Sequence, residues 1–367
     1  MKFNKQAIGL VVIGGVWCAL TAACFLKPQT ESSISERRKL ASFPETNAQT
    51  LLSGKFMTDF ETYSLDQFPL RDSFRTLKAV TSFYALGKKD NNGIYLSDGY
   101  AAKLEYPLDE NSVTSAAKKF AALYDTYIKD NGGKVYLAVA PDKGYFLAEK
   151  NGYPALDYEK MLSLLQENMP FAEYVDLFSS LSLEDYYKTD THWRQEKIID
   201  VSRVLAAAMG GKGIGDYTTE KANVPFYGVY YGQSALPLPS ETLYYVTNDI
   251  LDGCNVTNLE TGKSYTGTVD FEKETGKDPY EMFLSGASPL IVIENPNAET
   301  EKELIVFRDS FGSSMAPLLV SDYSKVTLVD TRYIAPRLIG NFVDFENADV
   351  LFLYSTLILN QSAALKD

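Results

Sequence analysis

Five short uncharged runs constrain the fold of this chain more than any other feature. They are the apolar centres of "KVYLAVAPDKGYF", "PLIVIEN", "ELIVFRDSFG", "KVTLVDTRY" and "DVLFLYSTLIL". None alternates apolar with polar residues, so none offers water a face, and each reads as a strand covered on both sides. Between or before them lie segments with helical spacing: "NSVTSAAKKFAALYDTYIKDNG", closed by Asn131 and Gly132, then "YEKMLSLLQENM" and "QEKIIDVSRVLAAAMG". A helix followed by a buried strand is the pattern of an α/β fold with a mostly parallel sheet. A short strand is expected at "EYVDLF" and a hairpin at "NGIYLSDGYAAKL". The Tyr-, Gly- and Thr-rich stretch about 224–288 reads as a β-rich insertion.

Ahead of this body, Lys2 and Lys5 precede an uncharged run from Ala7 to Leu26. Twenty apolar residues span a bilayer, whereas a cleavable signal has a shorter apolar core of about 7–15. The reading is a cytoplasmic tip at 1–6, a transmembrane signal-anchor at 7–26 and a body outside the cytoplasm at the cell membrane. Thr21-Ala22-Ala23-Cys24 weakly resembles a lipoprotein box. A polar tether follows at 27–50, broken by Pro28 and Pro44, and the α/β domain is expected over 51–367. Within it, Phe56, Phe60, Tyr63, Leu65, Phe68, Leu70, Phe74 and Leu77 fall at helical spacing.

The formal net charge is −13, and the anchor's lysines make the body more acidic still. Such a body repels polyanions, which argues against nucleic acid and favours a neutral substrate. Cys254 is the one ectodomain cysteine, so no intrachain disulfide forms there. With a single histidine and that lone cysteine, neither a metal site nor a cofactor is expected.

The histidine is His192, in "YYKTDTHWRQEK", two residues after Asp190 and directly before Trp193. Ser310 stands where the run "LIVF" gives way to a Gly-containing turn, the place where an open α/β sheet exposes reactive groups. A serine hydroxyl needs a base, and a carboxylate two residues from a histidine is placed to hold the ring's other nitrogen. Asp-Ser alone is more often a helix cap, and His192 alone is as readily a surface histidine beside a capping residue.

"YYKTDTHW" resembles the signature of the DHHW family, itself similar to the alginate O-acetylation proteins of the SGNH-hydrolase superfamily. "ERRKLASFP", "DQFPLRD", "APDKGYF", "DPYEMFLSGASPLIVIEN", "LIVFRDSFGSSMAPLL" and "VTLVDTRY" follow in the family's order. Thr191 replaces the first His of the family's name, and Arg308 stands where the wider superfamily often has Gly. The resemblance implies a three-layer α/β/α, flavodoxin-like domain of permuted order. It implies Ser310 as nucleophile, His192 as base and then acid, and Asp190 as orienter. Oxyanion donors are then the Ser310 N–H and the Asn360 side chain; Lys143 and Trp193 are further candidates near substrate, although Trp193 reads better as a packing anchor.

The function implied is a membrane-anchored serine O-acyltransferase, acetyl in the first instance, or an esterase. It acts outside the cytoplasm on a cell-surface polysaccharide through an acyl-serine, with a membrane-bound O-acyltransferase as donor partner. The alternative is a non-catalytic carbohydrate-binding or scaffold protein of a polysaccharide assembly complex.

Overall fold

All five uncharged runs are strands in the computed structural model, which describes residues 5–213 and 215–367. The large sheet contains β1 (Val135–Ala140), β2 (Glu173–Val175), β3 (Asn255–Asn258), β4 (Lys263–Thr266), β5 (Leu290–Glu294), β6 (Glu303–Arg308), β7 (Lys325–Val329) and β8 (Asp349–Ser355). Their order is β4-β3-β5-β7-β6-β8-β1-β2. The stretch from β7 to β2 is parallel throughout. Two features differ from the sequence reading. β5 runs antiparallel to β7, and β3 and β4, expected as part of an insertion, extend the main sheet as an antiparallel edge. A tight turn at Gly262 (φ 70°) joins β3 to β4, and so short a connection can only return antiparallel.

Residues along β1 divide between two cores. Tyr136, Ala138 and Ala140 pack with Val201 and Leu205 of α3 (Ile199–Ala208) and Met315 and Leu319 of α4 (Gly312–Leu319). Leu137 and Val139 pack with Val113 and Phe120 of α1 (Glu110–Leu123) and Met161 and Leu165 of α2 (Tyr158–Asn168). Helices therefore cover both faces, which is why these strands carry no polar face. Asp109 caps α1 by accepting the Ser112 N–H at 3.0 Å. Beyond it Gly133 lies so close to the chain that a Cβ would sit 1.8 Å from the Ala348 carbonyl.

Pairing fixes where the parallel strands end: Arg308 lies opposite Leu353, and Ser355 opposite Ala140. The carboxyl ends of β6, β8 and β1 thus share one edge, at which the chain continues into Asp309, Thr356 and Pro141-Asp142 respectively.

Two compact units divide the chain, residues 1–91 with 231–237 and residues 92–230 with 238–367. In the first, Lys5–Leu26 is a helix whose Gln6–Cys24 portion has mean hydropathy 2.1, long and apolar enough to cross a membrane. Residues 1–4 of the expected cytoplasmic tip lie outside the described residues. The segment expected as a tether is tied to the helices after it: the Arg38 guanidinium donates to both oxygens of Asp66, and Arg71 and Arg75 pair with Glu36. Phe43 packs edge-on against Phe56, Phe60 and Tyr63.

Candidate functional site

β6 delivers Ser310 to the carboxyl edge of the sheet, and Asp309 anchors the turn. Its side chain accepts the Phe311 N–H at 2.9 Å, and the Ser355 N–H and hydroxyl at 2.8 and 2.6 Å, tying the turn to the end of β8. Arg308, 1% exposed, donates to the Ser313 hydroxyl and lies 3.6 Å from Asp330. Burial pulls its pKa down, against the pull of Asp330. Ser310 itself is half-buried, and among the described residues nothing accepts its backbone N–H.

The second component is an irregular hairpin over residues 185–194, closed by Arg194 N–H to Asp185 O at 2.7 Å and Tyr187 N–H to His192 O at 3.1 Å. Asp190, fully buried, folds back on it. One carboxylate oxygen accepts the His192 backbone N–H at 3.0 Å and lies 2.6 Å from Nδ1. The other accepts the Val229 N–H at 2.7 Å. With a carboxylate at Nδ1 the ring proton sits there, which leaves Nε2 to accept the hydroxyl of Ser310 at 2.7 Å. The three side chains form one hydrogen-bonded series although Ser310 and His192 are 118 positions apart.

Several residues that hold this series escaped the sequence reading. The ring of Tyr280 lies on the imidazole at 3.9 Å and 7°, its hydroxyl 2.8 Å from that of Ser314. The carboxylate of Glu241 accepts the N–H groups of Lys188 and Thr189 and the Thr189 hydroxyl. Tyr230 donates its N–H to Thr189 O and its hydroxyl to Thr191. Gly228 lies against the hairpin backbone, where a Cβ would come within 2.3 Å of Asp190 N, and this approach brings Val229 N–H to the carboxylate. "DPYEMF" carries Tyr280, "YGVYYG" carries Gly228 and Tyr230, and "SETLYY" carries Glu241, but none of these segments shows what it faces.

The remaining candidates divide. Trp193 is fully buried, its indole N–H donating to the Ser314 hydroxyl at 2.9 Å and its ring edge-on to Phe311, so it packs against the serine turn. Asn360 is a correction: its amide donates to Glu105 and to the Pro107 carbonyl, and its oxygen accepts the Asp109 N–H. Both donors are occupied in holding residues 105–109, and neither is free for an oxyanion. Lys143, a candidate near substrate, is 2% exposed, its ammonium donating to the carbonyls of Tyr187 and Lys188. Cys254 is buried, its thiol against Ile250 O, and burial pushes its pKa up to about 11, which disfavours the thiolate. A groove of about 560 Å³ lined by Lys188, Thr189, Arg194, Glu241 and Tyr244 runs along the hairpin. Neither Ser310 nor His192 lines it. Among the described residues no three His, Cys, Asp or Glu side chains converge as metal ligands.

Fold and site together define an α/β protein with Ser, His and Asp in hydrogen-bonded series at the carboxyl edge of its sheet. The chain belongs to the DHHW family, whose sequence profile matches residues 80–329. Among solved structures it is similar to a DHHW family protein from Eubacterium siraeum, at 19% identity and TM-score 0.60, covering 75% of this chain and 94% of that one. It is similar also to Bacillus cereus PatB1 carrying a sulfonyl adduct, at 19% identity and TM-score 0.58, covering 75% and 97%. The O-acetyltransferase domain of Pseudomonas putida AlgJ follows at 13% identity and TM-score 0.46, covering 75% and 94%. Comparison with curated proteins gives no match.

Proposed function

We propose that this protein is a serine-dependent O-acyltransferase, acetyl in the first instance, or an esterase of the same chemistry. It is anchored by its N-terminal helix and acts outside the cytoplasm on a cell-surface polysaccharide. The observation that carries the reading is the series Ser310–His192–Asp190, at 2.7 and 2.6 Å, ending in a half-buried serine beside an N–H with no acceptor among the described residues.

In this mechanism the Ser310 hydroxyl attacks the carbonyl carbon of an acyl ester while its proton passes to His192 Nε2. Asp190 stabilises the imidazolium through the Nδ1 bond, and the Ser310 N–H faces the oxyanion. Collapse breaks the ester C–O bond, His192 returns the proton to the leaving alcohol, and the acyl group remains on Ser310. A sugar hydroxyl, or water, then loses its proton to His192 and takes the acyl group, regenerating the serine. A membrane-bound O-acyltransferase supplies the donor in the transferase version, and the anchor keeps the two in one membrane.

The test is release of nitrophenol from p-nitrophenyl acetate by the full chain in detergent. Ser310→Ala and His192→Ala are each expected to remove nearly all of it, because serine and base act as one unit. A wild-type chain inert to acetyl esters, with polysaccharide binding unchanged in Ser310→Ala, replaces this reading with that of a non-catalytic carbohydrate-binding scaffold.

A further inference from the structure

We infer that Lys143 is a positioning residue whose buried ammonium holds the 185–194 hairpin, and with it Asp190 and His192, in line with Ser310. The inference rests on the acyl-transfer reading of that site and adds to it a charge requirement. Lys143 follows Asp142 at the carboxyl end of β1, and its Nζ donates to the carbonyls of Tyr187 and Lys188 at 2.9 and 3.1 Å. These carbonyls immediately precede Thr189 and Asp190. The same ammonium lies 4.9 Å from the ring centroid of Tyr230 and 5.7 Å from that of Tyr100. Tyr230 in turn holds the hairpin at Thr189 O and at the Thr191 hydroxyl. The cation therefore grips the hairpin twice, directly at 187 and 188 and through Tyr230 at 189 and 191.

Two neutral hydrogen bonds would not require a lysine here. Burying an ammonium is costly, and the charge is matched by what faces it: Asp142 on its own segment, Asp190 from the hairpin and Glu241 from the strand Glu241–Thr247. Lys188, the nearby cation of the hairpin, places its ammonium at the ring of Tyr100, 5.9 Å from the centroid. Desolvation outweighs the three carboxylates and brings the Lys143 pKa down to about 7. Below that pH the ammonium is present; as pH rises through it, the charge is lost. The neutral amine keeps two N–H donors. It gives up the charge assistance of both bonds, the attraction to the Tyr230 ring and the attraction to Asp190.

A histidine base alone produces a rate that rises with pH to a plateau. Lys143 adds a fall on the alkaline side, and this opposite sign separates its role from a merely structural one. The experiment measures single-turnover acylation of Ser310 by p-nitrophenyl acetate, with the full chain in detergent, from about pH 5.5 to 9. Wild type is expected to show a falling limb with its midpoint near 7. Lys143→Met is expected to lose that limb and to run roughly 100-fold slower at acid pH, the size of effect that a displacement of about 1 Å in a catalytic group produces. Lys143→Arg, whose charge persists across the range, is expected to move the limb out of view. Since His192 is the chain's one histidine, ring-labelled histidine also yields a single imidazole NMR signal. Its low-field Nδ1 proton is expected to weaken in Lys143→Met. A Met variant with the wild-type rate at every pH, or an Arg variant with the wild-type limb, overturns the inference, and the Arg comparison decides alone if the Met variant does not fold. If wild type does not acylate at all, the acyl-transfer reading fails separately, and an unchanged His192 signal in Lys143→Met then overturns the positioning role on its own.

Discussion

Replacing Asp190 by Asn changes one atom, and the surroundings of that atom set the size of the effect. The carboxylate is fully buried, and its hydrogen bonds include those from the His192 N–H at 3.0 Å, from Nδ1 at 2.6 Å and from the Val229 N–H at 2.7 Å. All three partners are donors, and an amide has only one oxygen. If that oxygen faces His192, the NH₂ group is driven against Val229 N–H, and an unmatched buried donor costs about 1–3 kcal/mol of stability. If it faces Val229, the NH₂ group meets Nδ1, which must then accept. The ring proton moves to Nε2, and the acceptor for the Ser310 hydroxyl is gone. In a serine-protease triad such a reversal costs about 10⁴ in rate, or about 5.5 kcal/mol at 1.4 kcal/mol per tenfold. With both orientations available, Asp190→Asn is expected to lower the rate with p-nitrophenyl acetate by roughly 10²–10⁴. Calorimetry should show the smaller loss of stability. A variant within about threefold of wild type would refute the argument that Asp190 sets the imidazole tautomer.

The close approach at Gly228 makes a second prediction. Gly228→Ala places a methyl within 2.3 Å of Asp190 N, so denaturant titration should show a loss of about 2 kcal/mol or more, with the acyl-ester rate falling as the hairpin shifts. Tyr280→Leu removes the ring stacked on His192 and the contact with Ser314. The acylation rate is expected to drop by about tenfold or more through loss of ring orientation, whereas a change within twofold in a well-folded variant would count against that role. Cys254 is expected to resist iodoacetamide in the folded protein, because its thiol is pushed up to about 11, and to react once the chain is unfolded in urea; mass spectrometry of the alkylated peptide distinguishes the two.

The sequence by itself determined what depends on local chemistry and on burial. The uncharged runs became strands because a segment with no polar face must be covered on both sides. Asp190 and His192 met because two residues in a turn are within reach of each other whatever the rest of the chain does. Ser310 was legible as a position in the turn that follows a buried strand, and it is the first there that is not fully buried. Tertiary structure alone decided the direction of β5, since an apolar run reports that it is covered and not which neighbour pairs with it. Packing also brought Tyr280 onto the face of His192 and turned the Asn360 amide toward residues 105–109, contacts between distant segments that no spacing encodes. Lys143 shows the difference most plainly. A lysine after a strand reads as solvated because an isolated ammonium is held by water. Only the carbonyls, tyrosine rings and carboxylates that the fold gathers around it make burial possible, and those groups come from its own segment and four other parts of the chain.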